Sequence, residues 1–300
     1  MLSGIDPAAE RFLYDINRIK ARGDRAQRQI SSGYRVTQPS DDPGAVPEII
    51  HGQTGLDRVR QVQRNLGQLK AETDAAERAL QAAVALLDRV SVLASQGASS
   101  TVTADTRAVL AGEVGAVLER LVEAANTSVN NRFVFAGDLD QTLPYSLDPT
   151  LTDGVSIYAG GPATREAEGV NGGRFAVSRN AETIFQNGSE ANVFGTVNEL
   201  RSALEANDEP AIWNALAKLA PARQHLNRQL AFYGTVQNRV DGELASASAA
   251  VLDFQQTIAR LRETDLVEAS LELVQSRTGL EAALSARARL PRASLFDYLG

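Results

Sequence analysis

The sequence predicts a mainly α fold: an elongated helical coiled-coil bundle formed by the N- and C-terminal regions, with a small inserted β domain. Three observations predict it. Apolar residues recur at alternating gaps of four and three toward both ends of the chain, the spacing that keeps one seam of a helix facing a partner. That pattern stops between residues 138 and 192. Many of the glycines and prolines gather there, around short β-type stretches.

Taken in order, the first stripe is Phe12, Ile16, Ile19, Gly23, Ala26 and Ile30. It predicts an amphipathic helix over 8–30, stopped by Ser31, Ser32 and Gly33, since glycine suits the left-handed position after a helix end. The proline-punctuated link TQPSDDPGAVPE follows, with Asp42 before Pro43 as an N-cap and first-turn pair. Pro47 inside a helix would cost an internal hydrogen bond, so the long helix is expected to begin at Pro47–Glu48 and run to about Ala94. Its stripe is Val59, Val62, Leu66, Leu69, Thr73, Ala76, Leu80, Ala83, Leu87, Val90 and Ala94. The loop QGASSTVTADT leads into a helix from about Asp105 to Ser128, with Leu110, Val114, Val117 and Leu121 in line.

In the middle region, VSIYAG and GRFAVS read as strands, and Asp153–Gly154, Gly160–Gly161 and Gly172–Gly173 as turns between strands. Helices resume near Val193. Asp208 and Pro210 open a short helix carrying Trp213, Leu216 and Leu219, which Pro221 is expected to interrupt. The last seam runs Leu226, Leu230, Tyr233, Gln237, Val240, Leu244, Ala247, Val251, Phe254, Ile258 and Leu261. Like the second, it would make a helix of roughly 50 Å. Near Thr264–Asp265 the stripe slips to Leu266, Ala269, Leu273, Leu280 and Leu284. Such a slip inside a continuous helix marks a boundary between bundle segments. Pro291 ends the helix.

Composition narrows the function classes. A net charge of −7 over 300 residues argues against a general nucleic-acid binder. There is no cysteine, which excludes disulfides and thiolate metal sites. No apolar run approaches the roughly 20 residues of a membrane span, so no membrane insertion is expected. The opening residues lack a basic leader and apolar stretch, so export, if it occurs, is expected without a cleaved signal peptide.

The chemistry-bearing residues form no constellation. His51 and His225 have no neighbouring ligand cluster. Asp138, Asp140 and Asp148 lack the glycine and terminal glutamate of a calcium loop. Asp41–Asp42 suits capping better than acid–base work. No phosphate cradle and no GxSxG elbow appears. The expectation is therefore a non-enzyme with no catalytic, cofactor-binding or metal residues and no cofactor. Arg18, Arg22 and Arg25 give the first helix a basic flank. It is either solvated or set against the acidic residues Glu263, Asp265, Glu268 and Glu272.

Several segments together resemble the flagellin family, in its hook-associated branch. QISSGYRVTQPSDDPGA is similar to the family's N-terminal signature, carried here by Ser32, Gly33, Ser40, Asp41, Asp42 and Pro43. The proline after the aspartates resembles the hook-associated version. AANTSVNNRFVFAGDLDQTLPY, with Asn131, Arg132, Phe135 and Gly137, is similar to the segment that leaves the inner helical domain, although NNRF departs from the commoner glycine before the arginine. DLVEASLELVQSRTGLEAALSARARLPRASLFDYL resembles the C-terminal helix and tail.

The resemblance implies terminal helices in an inner tube whose fold depends on assembly, residues 1–40 with 265–300. A long-helix bundle would comprise 41–137 with 193–264, and an outward β-rich domain 138–192. The assembly interface would be Phe12, Ile16, Ile19, Ile30, Leu266, Leu273, Leu280, Leu284, Leu295 and Leu299. The implied role is a structural subunit of the bacterial flagellum joining the hook-side junction protein to flagellin. The alternative is a filament subunit with a short outer domain. Implied partners are further copies in a ring or tube, the hook-side junction protein, flagellin, and an export chaperone on the C-terminal helix. The implied location is the extracellular flagellum.

Overall fold

The computed structural model describes residues 7–188 and 191–289. It is mainly helical, with long N- and C-terminal helices packed together and small inserted sheets. The elements are α1 (Pro7–Ser32), α2 (Ala45–Gly97), α3 (Ala104–Ala125), β1 (Ser128–Val129), β2 (Arg132–Phe133), β3 (Glu166–Glu168) and β4 (Arg174–Ala176). They continue as α4 (Ala181–Phe185), β5 (Gln186–Asn187), β6 (Ala191–Asn192), α5 (Val193–Glu205), α6 (Glu209–Arg262) and α7 (Leu266–Arg289). Two compact units emerge, residues 59–249 and residues 1–58 with 250–300, and α2 and α6 contribute a segment to each.

In the unit 59–249, the predicted stripes form the core. Leu80, Ala83, Leu87, Val90 and Ala94 of α2 meet Leu110, Val114 and Leu121 of α3, all buried. Val197, Leu200 and Leu204 of α5 and Ile212, Leu219 and Leu226 of α6 complete the cluster. Each fully buried leucine contributes about 1.5–3 kcal/mol, so these seams dominate the unit's stability. Thr103 caps α3 by accepting the Thr106 N–H at 3.3 Å.

Arg107 is 5% exposed and is held by acceptors from two connections. It donates to the carbonyls of Gly97 at 2.8 Å and Ser99 at 3.2 Å, and to the Asn207 side chain at 2.6 Å. One guanidinium thus satisfies carbonyls at the end of α2 while gripping the α5–α6 turn.

The insert shares this core. Tyr145, Val155, Ile184 and Phe185 belong to the same cluster as the helices, together with Phe135 just before the insert. Phe135 meets Phe185 and Tyr233 edge-on at centroid distances of 6.2 and 6.0 Å. The sheets are three separate antiparallel pairs, β1–β2, β3–β4 and β5–β6. In β1–β2, Val129 pairs with Arg132 around Asn130 and Asn131, whose φ values are 52° and 62°. Two left-handed residues make the turn that suits hairpin twist, and asparagine tolerates that region, which is why NNRF needs no glycine. On β4, Phe175 packs with nearby Val177 against Leu66, Leu69, Val236 and Val240. Glu243 of α6 accepts the Val170 N–H at 3.0 Å and holds the β3–β4 turn.

Four expectations are corrected. VSIYAG is not a strand: only Val155 bridges, to Leu147, because the facing segment returns no ladder donors, the Ser146 N–H going to the Ser156 hydroxyl and Pro144 having none. Pro221 does not interrupt α6. It lies on an exposed face with Ala217, so water can satisfy the freed carbonyl, while buried Leu219 and Ala222 hold the helix to the core. The helix α2 starts at Ala45, which puts Pro47 in the first turn where its missing N–H has no partner to lose. Finally, the slip at Thr264–Asp265 is a helix break, because α6 ends at Arg262 and α7 begins at Leu266.

Candidate assembly interface

In the unit formed by residues 1–58 and 250–300, α1 packs against α7. The α1 stripe faces inward: Ala26 is buried and Phe12, Ile16, Ile19, Gly23 and Ile30 are half-buried, while their neighbours are largely exposed. On α7 the inward set is Ala269, Leu273, Ser276, Gly279, Leu280 and Ala283. The helices approach closely where side chains are small. The Ile19 side chain lies 3.9 Å from where a Cβ on Gly279 would sit, and Ser276 lies 3.3 Å from the same position on Gly23.

A second apolar face stays open. On α7, Val267, Leu271 and Val274 are exposed at gaps of four and three, and Leu266 and Leu284 are 54% and 52% exposed. On α1, Leu13 and Tyr14 are exposed. Two helices cannot cover more than one stripe each, so these side chains remain in water. Leu295 and Leu299 lie outside the described residues. Among the described residues, no ion pair joins Arg18, Arg22 or Arg25 to Glu263, Asp265, Glu268 or Glu272; the basic flank is solvated.

The two helix breaks are stitched together. Gly33 takes the left-handed conformation (φ 74°), and its N–H closes α1 on the Gln29 carbonyl at 2.8 Å. The Gly33 carbonyl then accepts the Thr264 N–H at 3.1 Å, and the Arg35 N–H donates to the Arg262 carbonyl at 2.7 Å. Tyr34 bridges Glu263, and the Arg262 guanidinium lies 4.2 Å from the Tyr34 ring centroid. Asp265 caps α7, accepting the N–H groups of Val267 at 2.8 Å and Glu268 at 3.2 Å. Val36, Ala45 and Ile49, with Leu261 against them, form a small apolar cluster beneath the link.

The aspartate pair shapes the link. Asp41 Oδ2 accepts the Thr37 N–H at 3.0 Å, the Thr37 hydroxyl at 2.7 Å and the Gln38 N–H at 3.0 Å. Partial burial pushes its carboxyl up, but these donors outweigh burial and bring it down to about 2. Asp42 accepts from the Arg35 guanidinium at 2.7 Å and from the Ala45 N–H at 3.1 Å. The Arg35 bond, then the Ala45 bond, hold its carboxyl below the usual range. Ser40 and Pro43 are exposed turn residues, and Ser32 accepts the Tyr34 N–H at 3.1 Å.

The other motif residues sit in the unit 59–249 and are structural. Arg132 pairs with Asp140. The Phe135 carbonyl accepts the Ala181 N–H at 2.8 Å and the Tyr158 hydroxyl at 3.0 Å. Gly137 has φ 66°, and a Cβ there would run into the Gly161 carbonyl oxygen. His225 is a core residue against the Thr183 carbonyl at 2.9 Å, and His51 is exposed. Among the described residues, no three His, Cys, Asp or Glu side chains are placed to hold a metal, and no helix is long and apolar enough to cross a membrane. Sequence reasoning missed Arg35 and Tyr34. The SGYR string contained both, but their partners are main-chain atoms about 230 residues away, which leave no mark on side-chain patterns.

The family model for the bacterial flagellin N-terminal helical region matches residues 8–140. Flagellar hook-associated protein 3 of Escherichia coli (strain K12) is 24% identical over 300 residues, covering 90% of each chain. Among solved structures, the chain is similar to a flagellar hook-associated-type protein of Vibrio parahaemolyticus at 18% identity and TM-score 0.66, covering 74% of this chain and 100% of that one. It is also similar to the flagellar junction protein FlgL of Legionella pneumophila, at 16% identity and TM-score 0.55, covering 65% of this chain and 99% of that one. At these identities the likeness to the solved structures is one of fold.

Proposed function

We infer that this chain, a flagellin-family protein of the hook-associated type, is a structural subunit of the bacterial flagellum at the junction between hook and filament. It is not an enzyme. The observation that carries the inference is that the first and last helices, α1 and α7, meet as one pair, which retains an uncovered apolar face. A pair that leaves apolar side chains uncovered is marginal alone and gains by stacking with other copies.

In the assembled junction, residues 1–40 with 265–300 form the inner layer, 41–137 with 193–264 the bundle around it, and 138–192 the outward region. Phe12, Ile16, Ile19, Ile30, Leu273 and Leu280 hold the pair together, while Leu266 and Leu284 meet neighbouring copies. Leu295 and Leu299 belong to the same interface by their place in the tail. Contacts follow with the hook-side junction protein on one side and flagellin on the other. Before export to the extracellular flagellum, a chaperone covers α7. Its exposed Val267, Leu271 and Val274 support that role, since they are an aggregation liability in the cell.

The test is deletion of the gene and complementation. Loss should leave hooks in place, filaments absent and flagellin in the medium. Wild type should restore filaments, whereas Leu266→Asp with Leu284→Asp should be exported and fail to restore them. Filaments that persist on the deletion strain would overturn the proposal. Abundance in sheared filaments separates the alternative, because a filament subunit dominates and a junction subunit is a trace band.

A further inference from the structure

The α1–α7 pair has two unlike sides. Gly23 faces Ser276, Ile19 faces Gly279, and the Arg287 guanidinium lies 5.6 Å from the Phe12 ring centroid, so the helices run antiparallel with these residues level. On one side a cleft of about 90 Å³ opens between them, lined by Ile19, Arg22, Glu272, Gln275, Ser276 and Gly279. It exists because Ser276 and Gly279 are small. It has room for about three waters, or for one aliphatic side chain in their place.

The other side carries knobs. Leu13 and Leu284 stand nine residues from Arg22 and Gln275, two and a half helical turns, and so project half a revolution away from the cleft. They are 55% and 52% exposed. Both lie near the Phe12–Arg287 contact, about 12 Å farther than the cleft from the Gly33–Thr264 joint. Lys20 and Arg277 stand seven residues from Leu13 and Leu284, two turns along the same side. Glu268 lies one turn from Glu272 beside the cleft. Lys20, Arg277, Glu268 and Glu272 are exposed, and none is in an ion pair among the described residues.

We infer, resting on the junction assembly proposed for this pair, that the cleft receives Leu284 of a second copy of the chain. A copy displaced by about 12 Å along the pair seats its Leu284 between Ile19 and Gly279 and lays its Leu13 on the aliphatic stem of Arg22. The same displacement carries its Lys20 and Arg277 over Glu272 and Glu268, so size and charge agree on one register. Knob and cleft lie on opposite sides, which makes the contact heterologous. Each copy gives one leucine and takes one, and the association runs on into a ring or tube instead of closing at two.

The natural chain has no cysteine, so introduced thiols report this contact alone. Within one chain, positions 275 and 284 are about 14 Å apart along α7, beyond the roughly 7 Å that a disulfide spans between Cα atoms. Leu284→Cys with Gln275→Cys in the same chain should complement the deletion strain. Copper-catalysed air oxidation of the isolated flagella should then give a ladder of covalent multimers on a non-reducing immunoblot. Either substitution alone should leave the chain monomeric, and the two single variants mixed should stop at dimers. Filaments without a ladder, or a dimer from Leu284→Cys alone, would overturn this contact and leave the junction role standing. Filaments on the uncomplemented deletion strain would remove the junction role itself. Should the double variant restore no filaments, the concentrated purified chain is oxidised instead, and the lack of a ladder there counts equally against the contact.

Discussion

The Arg35 guanidinium donates to the Leu261 carbonyl at 2.9 Å, so a residue just past the end of α1 closes the last turn of α6. The same group reaches Asp42 at 2.7 Å. Arg35→Ala should therefore loosen both helix breaks at once. The site is half-exposed, so the stability cost is about 1 kcal/mol. Hydrogen exchange should quicken at Thr264, whose N–H the Gly33 carbonyl accepts, although Arg35 does not touch it. Unchanged exchange there would refute the coupling.

Acid should melt the link before the helices. The Asp41 carboxyl lies at about 2 in the folded chain, below its ordinary 3.8. A depressed carboxyl stabilises the fold fully above its unfolded value, and the contribution fades as pH falls toward the folded one. The protection of the Thr37 and Gln38 amides, taken against the intrinsic exchange rate at each pH, should therefore fall between about pH 4 and pH 2. An NMR titration of the Asp41 side chain should place its midpoint near 2. A midpoint at the ordinary value would contradict the hydrogen-bond account.

Arg107→Ala should destabilise the unit 59–249 by about 2–4 kcal/mol, because the Gly97 and Ser99 carbonyls lose a buried donor. Urea unfolding should show a lower midpoint with an unchanged slope. Arg107→Lys should recover only part of the loss, since a single ammonium does not span acceptors matched to a planar fork.

Gly137→Ala should cost more than about 2 kcal/mol, combining a left-handed backbone with a clash against the Gly161 carbonyl. A thermal melt within a degree of wild type would mean that the 137–161 approach relaxes freely.

The parts of the fold legible in the sequence are those fixed by side-chain periodicity. Leu80, Leu87, Val114 and Leu226 announce the core, and the α1 stripe is the face that α7 covers. Legibility fails where main-chain atoms decide. Pro221 reads as a breaker in isolation, but its carbonyl partner faces solvent and tertiary burial overrides propensity. VSIYAG has strand composition, yet a strand needs a neighbour with free donors, and opposite it the Ser146 N–H is taken by the Ser156 hydroxyl while Pro144 has none. Arg35 and Arg107 look like ordinary surface arginines because main-chain carbonyls, at Leu261 for Arg35 and at Gly97 and Ser99 for Arg107, leave no mark on side-chain patterns. At the candidate interface, Leu273 and Leu280 face α1 while Leu266 and Leu284 face water. A heptad count alone does not tell a partner within the chain from one outside it.

Cross-bonded breaks at Gly33–Arg35 and Arg262–Thr264 have a mechanical corollary. Neither terminal helix can swivel at its own joint without dragging the other, so a pull on one tail is shared between two strands of backbone. The joint behaves as a yoke rather than as a pair of independent hinges.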